Sequence, residues 1–250
     1  MITAYPNIYQ YQLAVAQGKI SGAQPLAVAG KRVAAGAETN TLVWADGSIY
    51  FPAVGVQPTI VSTSANDAAA GTGIRTVHVH YLDNSLNEQV EVVTMNGVTP
   101  VTLAATNVRF VQYIHAETAG SGGVAAGTIT CANGANTFNI ISTSALTSQS
   151  SIRVVPAGKV IYVHALAGGS SSGSAAASVQ LEFVASQIDA TPNASNLLYS
   201  QGMIALQDNS VTLSLPMPAR FSAGTVIAMR MICDKAATVG ATWYGWQENA

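Results

Sequence analysis

Two stretches of alternating side chains constrain the fold of this chain more than any other feature. In Ile74–Leu82 and Glu88–Met95, β-branched and aromatic residues alternate with polar ones. A period of two puts one face of a strand in a core and the other in water. A polar turn joins the two stretches and Asn96-Gly97 follows them, which predicts a half-exposed antiparallel hairpin. The small, turn-rich residues 66–73 predict a loop before it.

Further short stretches of strand character fill most of the remaining chain. Turn signals recur roughly every 8–12 residues, which is typical of an antiparallel sandwich or barrel. Asp46-Gly47 predicts a second hairpin, and residues 124–131 are expected to pair with residues 108–116. We therefore predict an all-β fold, an antiparallel β-sandwich of jelly-roll type, with further strands at 42–45, 48–51, 108–116, 124–131, 137–143, 179–184, 211–215 and 242–246.

The C-terminal part contains two short segments that resemble each other. Arg153–Ala167 and Ala219–Cys233 each place Ala-Gly at a turn before a Val-Ile pair that opens an alternating strand. In jelly rolls, strands fed by such repeated turns belong to two facing sheets. We divide the chain into an N-terminal docking arm (1–25), a first β domain (26–149) and a second, jelly-roll-like β-sandwich domain (150–250). Within the last part, the Gly/Ser/Ala tract 168–178 predicts a mobile loop.

The N-terminal arm is the least β-like part of the chain. Pro6 suits the first position of a helix and Gly18 the position after its last turn, which predicts a short helix. Tyr5, Tyr9 and Tyr11 give this segment a high aromatic content. The helix can pack on its own β domain, or it can dock on a neighbouring subunit, because tyrosine buries a large area at little entropic cost.

Charged side chains are scarce. They make up 9% of the 250 residues, against about 25% in typical soluble domains. Every buried charge needs a partner, so a neutral surface suits permanent contact with other subunits. Ten basic and twelve acidic residues leave a net charge of −2 without a basic stripe, which argues against a nucleic-acid partner.

Membrane and redox signals are equally sparse. No stretch of about 18 apolar residues predicts a membrane span, and residues 1–17 lack the basic start and apolar core of a signal peptide. We expect no membrane partner. Cys131 and Cys233 follow no metal or redox spacing, so we expect them to be small buried hydrophobes in a protein made in a reducing cytoplasm.

Few residues of the sequence indicate a catalytic or metal-binding site. His78 and His80 lie on one face of a predicted strand, and with a third ligand, His115 or His164, they could hold a metal. A polar strand face explains the same pair without a metal, and we favour that interpretation. The carboxylates are too dispersed to indicate an acid/base couple. We expect no enzyme activity, and no catalytic, metal-binding or cofactor-binding residues.

Three segments carry a resemblance to a known class of proteins. They read STSANDAAAGTGIRTVHVHYLD, NEQVEVVTMNGVTPV and AETAGSGGVAAGTIT, and they fall within Ile60–Thr130. These segments resemble part of the sequence of virion structural proteins of tailed bacteriophages. The resemblance implies a β-rich, non-enzymatic component of the particle, and it carries no catalytic residues across.

The expected function is therefore structural. We expect a homo-oligomer, a trimer by preference, that decorates the capsid exterior or the head-tail junction. It would be assembled in the host cytoplasm and contact other virion proteins such as the major capsid, portal, adaptor or tail protein. Alternatively, it is a tail-fibre or tail-tip module that binds host glycans. The candidate interface residues are Tyr5, Tyr9, Tyr11, Trp243, Tyr244 and Trp246.

Overall fold

The computed structural model describes residues 8–173, 176–187 and 199–250 of the chain. Strands that pair in antiparallel fashion dominate these ranges, which confirms the all-β prediction. In chain order the elements are α1 (Ile8–Ala16), β1 (Gln24–Ala34), β2 (Glu38–Leu42), β3 (Thr59–Ser62), β4 (Ile74–Leu82), β5 (Glu88–Thr94), β6 (Val101–Thr102), β7 (Phe110–Ala119), β8 (Ile129–Asn133), β9 (Asn136–Ile141), β10 (Arg153–Val154), β11 (Lys159–Ser171), β12 (Ser178–Gln187), β13 (Tyr199–Gln207), β14 (Ser210–Ser222), β15 (Thr225–Cys233) and β16 (Ala237–Asn249).

Two sheets form a sandwich at the C-terminal side. Sheet I has the strand order β1-β16-β11-β14, and sheet II has the order β10-β15-β12-β13 with β2 also paired to β15. Alternate residues of both sheets point into one core, where Val163 and Trp243 of sheet I meet Phe183 and Met229 of sheet II. The two similar segments, Arg153–Ala167 and Ala219–Cys233, contain most of β11 in sheet I and all of β15 in sheet II. Each strand follows an Ala-Gly turn, and the glycines have φ of 68° at Gly158 and 78° at Gly224.

Two smaller sheets pack together, and one of them contains both alternating stretches, Ile74–Leu82 and Glu88–Met95. Sheet III has the order β6-β3-β8-β9, and sheet IV has the order β5-β4-β7. The predicted hairpin is β4 paired with β5, from Thr76 opposite Thr94 to Leu82 opposite Glu88. Its apolar residues pack against sheet III, so that Val79 shares a core with Ile129. Apolar and polar residues therefore alternate along the hairpin for the predicted reason, because only one face of each strand is buried.

A third apolar cluster joins the two pairs of sheets. Leu82 of β4 and Phe110 of β7 share this cluster with Val184 of β12 and Val226 of β15. The buried amide of Gln112 extends the junction, since its Nε2 donates to Val154 O at 2.6 Å and its Oε1 accepts from Val154 N at 3.1 Å. Apolar packing and paired backbone groups thus hold the sheets in contact.

The first two strands pair with the last two. Both lie in the predicted first β domain (26–149), and β1 pairs with β16 along its whole length, while β2 pairs with β15. Their backbone groups find partners about 200 residues away, and local patterning carries no information on such pairs. The division into domains itself stays a prediction.

Three local predictions were wrong. The predicted hairpin at Asp46-Gly47, with strands at 42–45 and 48–51, does not form, because β2 ends at Leu42 and residues 43–51 are in no strand. Leu42 N bonds to Gly47 O, and the indole of Trp44 donates to Ser48 O at 2.5 Å, which closes a compact loop. Residues 129–133 pair with β3 and β9 rather than with β7. Residues 168–171 belong to β11 and lie between β14 and β16, because small side chains do not prevent a ladder from forming.

The predicted helix is confirmed as α1. Gly18 follows its last turn with φ of 68°, a conformation that glycine adopts without steric cost. Lys19 N bonds to Ala14 O and Gly18 N to Val15 O, both at 2.9 Å. These two bonds are those of a Schellman cap, which satisfies carbonyls that the helix leaves free.

Candidate functional site

Helix α1 lies on the outward face of sheet I. Residues at helical spacing face the sheet, namely Tyr11, Ala14 and Val15, and the last two are buried. The Tyr11 hydroxyl donates to Glu248 Oε2 at 2.5 Å, and its ring centre lies 5.6 Å from that of Trp246. Helix α1 therefore packs on the sandwich of its own chain, which was one of our two interpretations.

The opposite face of α1 forms an apolar surface with a neighbouring strand. Tyr9 and Leu13, four residues apart, are 76% and 57% exposed, and Tyr244 of β16 is 38% exposed. We call these three residues the apolar patch. They border a groove of about 620 Å³. Among residues 8–173, 176–187 and 199–250, its other lining residues carry no carboxylate, lysine or arginine: Gln12, Val15, Ala16, Pro25, Leu26, Ala27, His164, Ala165, Gly245 and Trp246.

The C-terminal aromatics divide between the two faces of β16. Trp243 points inward, is buried, and donates its indole N–H to Ser151 O at 2.9 Å. Tyr244 and Trp246 have the opposite parity and point outward. Trp246 is nevertheless buried, because it lies beside Tyr11 and stacks on Tyr162 with ring centres 5.0 Å apart.

The structure thus brings four of the six candidate interface residues together, Tyr9, Tyr11, Tyr244 and Trp246. Trp243 belongs to the core, and Tyr5 lies outside the described residues. The sequence suggested His164 only as a possible metal ligand, but it lines the groove, with its ring centre 6.1 Å from that of Trp246. Burial lowers the pKa of His164. The contact of these six residues with a partner stays a prediction.

A second group of side chains lies on the outward face of sheet IV. His78 and His80 of β4 are neighbours of His115 of β7, because the antiparallel register places His115 directly opposite His78. One candidate ligand atom from each of the three histidines lies within 4.8 Å of the other two. Of the two possible third ligands, the fold supplies His115, whereas His164 lies in the groove beside α1.

Neighbouring side chains position these three rings. His80 stacks on Tyr113 with ring centres 4.0 Å apart and an angle of 13° between the planes. The guanidinium of Arg153 lies 4.9 Å from the centre of the Tyr113 ring. At the other end of the group, Glu117 Oε2 lies 3.2 Å from His78 Nε2. The group is therefore partly enclosed and has one carboxylate beside it.

The two cysteines behave as expected. Cys131 and Cys233 are both free and buried, and burial raises the pKa of the Cys131 thiol to about 12. In the described part of the chain, no helix has the length and apolar character that crossing a bilayer requires.

Comparison with known proteins adds little to this picture. No protein-family model and no curated protein matches the sequence. Among solved structures, the chain is similar to a protein of the Israeli acute paralysis virus particle, with 12% identity, 40% of this chain and 57% of that chain covered, and a TM-score of 0.23. It is also similar to a Bacillus thuringiensis Cry1Da tryptic core variant, with 10% identity, coverages of 84% and 52%, and a TM-score of 0.20.

A further likeness is to the infectious bursal disease virus Gx strain, with 10% identity, coverages of 91% and 71%, and a TM-score of 0.19. The chain spans little more than half of the length of the paralysis-virus and Cry1Da chains. Likenesses at these TM-scores carry no argument about function. What is established is an all-β protein with antiparallel sheets, an apolar patch beside α1 and a histidine group on sheet IV.

Proposed function

We propose that this protein is a non-enzymatic structural subunit of a tailed-phage virion. Copies of the chain form a homo-oligomer, a trimer by preference, on the capsid exterior or at the head-tail junction. The observation that carries the proposal is the apolar patch of Tyr9, Leu13 and Tyr244 on a chain with 9% charged residues. The resemblance of Ile60–Thr130 to virion proteins of tailed phages supports the assignment to a particle.

The patch is suited to a second copy of this chain. The described residues that line its groove include no carboxylate, lysine or arginine, so a partner with charged side chains would bury them there without an opposite charge from these residues. An identical neutral patch has no such cost. Around a threefold axis, the patches of three copies can meet at the axis and bury one another.

The mechanism of such a subunit is adhesion through buried area. Apolar burial contributes about 25 cal/mol per Å², and a stable interface buries about 800 Å² on each partner. Particle symmetry then repeats each contact many times, which raises the overall binding strength above that of a single contact. The burial of Trp243 and Trp246 gives the glycan-binding alternative less support, since Tyr244 alone among the three C-terminal aromatics is exposed.

The oligomer is tested by a charge placed in the patch. Leu13→Glu should convert the wild-type oligomer to monomers in sedimentation velocity, because association would bury an unpaired carboxylate. Val98→Glu is the matched control, since Val98 is 58% exposed and is not among the described residues that line the groove. It should leave the oligomer intact, and circular dichroism should show that both variants are folded.

A wild-type protein that sediments as a single chain of 25.7 kDa would contradict the oligomer. So would a Leu13→Glu variant that keeps the wild-type mass. The virion assignment is tested separately, by mass spectrometry of purified phage particles and by reconstruction of the particle. Absence of the chain from intact particles would refute it.

A further inference from the structure

We infer that the outward face of sheet IV binds a divalent transition metal ion, zinc by preference, through the imidazoles of His78, His80 and His115. Two of these ligands are two residues apart on β4, and the third is directly opposite the first on β7. The strands that carry them are paired over most of their length, so the three side chains emerge from a rigid surface. Such a surface holds ligands more accurately than a loop.

The distances between the three rings fit a site that closes on a metal. The candidate ligand atoms lie within 4.8 Å of one another. In a tetrahedral zinc site with Zn–N distances of about 2.05 Å, neighbouring nitrogens are about 3.3 Å apart. Rotation about the side-chain torsions of the three histidines can close this difference in nitrogen–nitrogen distance, since none of the three rings is fully buried. The backbone of sheet IV need not move.

The hydrogen-bonding state of the rings also favours a cation. The Nε2 atoms of His78 and His80 are buried and make no hydrogen bond to the described part of the chain. Glu117 Oε2 lies 3.2 Å from His78 Nε2 without the alignment of a hydrogen bond. Buried polar atoms are rarely left without a partner. A metal ion bound through these nitrogens would give both of them a partner.

The donor set selects the class of metal. Three imidazoles suit Zn²⁺, Cu²⁺ or Ni²⁺, whereas Mg²⁺ and Ca²⁺ prefer oxygen ligands. The guanidinium of Arg153 beside Tyr113 opposes a further positive charge, and the carboxylate of Glu117 offsets it. Three protein ligands leave the fourth zinc position open for water or for a group from another molecule.

The experiment is zinc titration of the full chain, with any affinity tag removed, by calorimetry at neutral pH. The wild-type protein should bind one Zn²⁺ per chain and should not bind Mg²⁺. Loss of outer-shell partners alone costs 10–100-fold in affinity, so His115→Ala should weaken zinc binding by about 100-fold or more. His164→Ala is the matched control and should bind zinc as the wild type does.

Cobalt gives an independent readout. Co²⁺ bound in a tetrahedral site absorbs visible light, and this absorption should appear with the wild type and be lost with His115→Ala. The three histidines face outward, so the variants should fold, and circular dichroism without metal checks this. His78→Ala and His80→Ala repeat the comparison at the other ligands. Wild-type protein that binds no zinc, or a His115→Ala variant that binds it with wild-type affinity, would overturn the inference.

Discussion

The loop before β4 depends on one buried carboxyl group, and its removal is the sharpest test of how this fold is held together. Asp67 is fully buried. Its Oδ1 accepts hydrogen bonds from Ile74 N at 2.7 Å and Ala126 N at 3.0 Å. Its Oδ2 accepts from the Ser62 hydroxyl at 2.6 Å and from Gly127 N at 2.9 Å. One side chain thus ties β3, β4 and the loop before β8.

The substitution Asp67→Ala leaves all four donors without this partner. The Ser62 hydroxyl can rotate to another acceptor, and Ala126 N is only partly buried. The N–H groups of Ile74 and Gly127 stay buried without an acceptor. Each buried donor left unpaired costs about 1–3 kcal/mol, so we expect a loss of about 2–6 kcal/mol in the free energy of unfolding.

Urea denaturation followed by tryptophan fluorescence and circular dichroism measures this loss. For a domain with an m-value of about 2–3 kcal/mol/M, the midpoint should fall by roughly 0.7–3 M. Asp46→Ala is the control, because Asp46 is exposed and accepts one hydrogen bond, from Ser48, at 2.6 Å. It should change stability by less than about 0.5 kcal/mol. If Asp67→Ala costs no more than Asp46→Ala, the central role of this carboxyl group is refuted.

Two further predictions concern other buried groups. Glu182→Ala should lower the free energy of unfolding by about 1.5–3 kcal/mol in the same assay, because it removes a charged hydrogen-bond partner. Glu182 Oε2 lies 2.9 Å from Arg230 Nε, and both side chains are 14% exposed. A loss below about 1 kcal/mol would contradict this. Cys131 should resist iodoacetamide in the folded protein at pH 8 and react in urea, because burial raises its pKa to about 12 and only the thiolate is reactive. Mass spectrometry measures the labelling, and equal rates in both states would show that the thiol is accessible.

Several elements were predictable because their signals are local. The alternation in Ile74–Leu82 matches the bounds of β4, and the polar turn with its flanking strand predicted β5. Gly18 marked the end of α1 for a reason contained in its own backbone, the positive φ of the cap. The Ala-Gly turns at Gly158 and Gly224 likewise announced the strands that follow them. Period, turn residues and caps act over a few positions, so a single sequence contains them.

The candidate sites depended on contacts that no local pattern contains. The sequence showed that His78 and His80 share a face, but only the pairing of β4 with β7 chose His115 over His164 as their neighbour. It also showed an aromatic N-terminus and an aromatic C-terminus without indicating that Tyr11 lies on Trp246. The sequence by itself therefore determined the all-β class, the central hairpin and the helix. The tertiary structure alone decided which distant strands pair, because many partners of similar alternation are available and only packing of the whole chain selects among them.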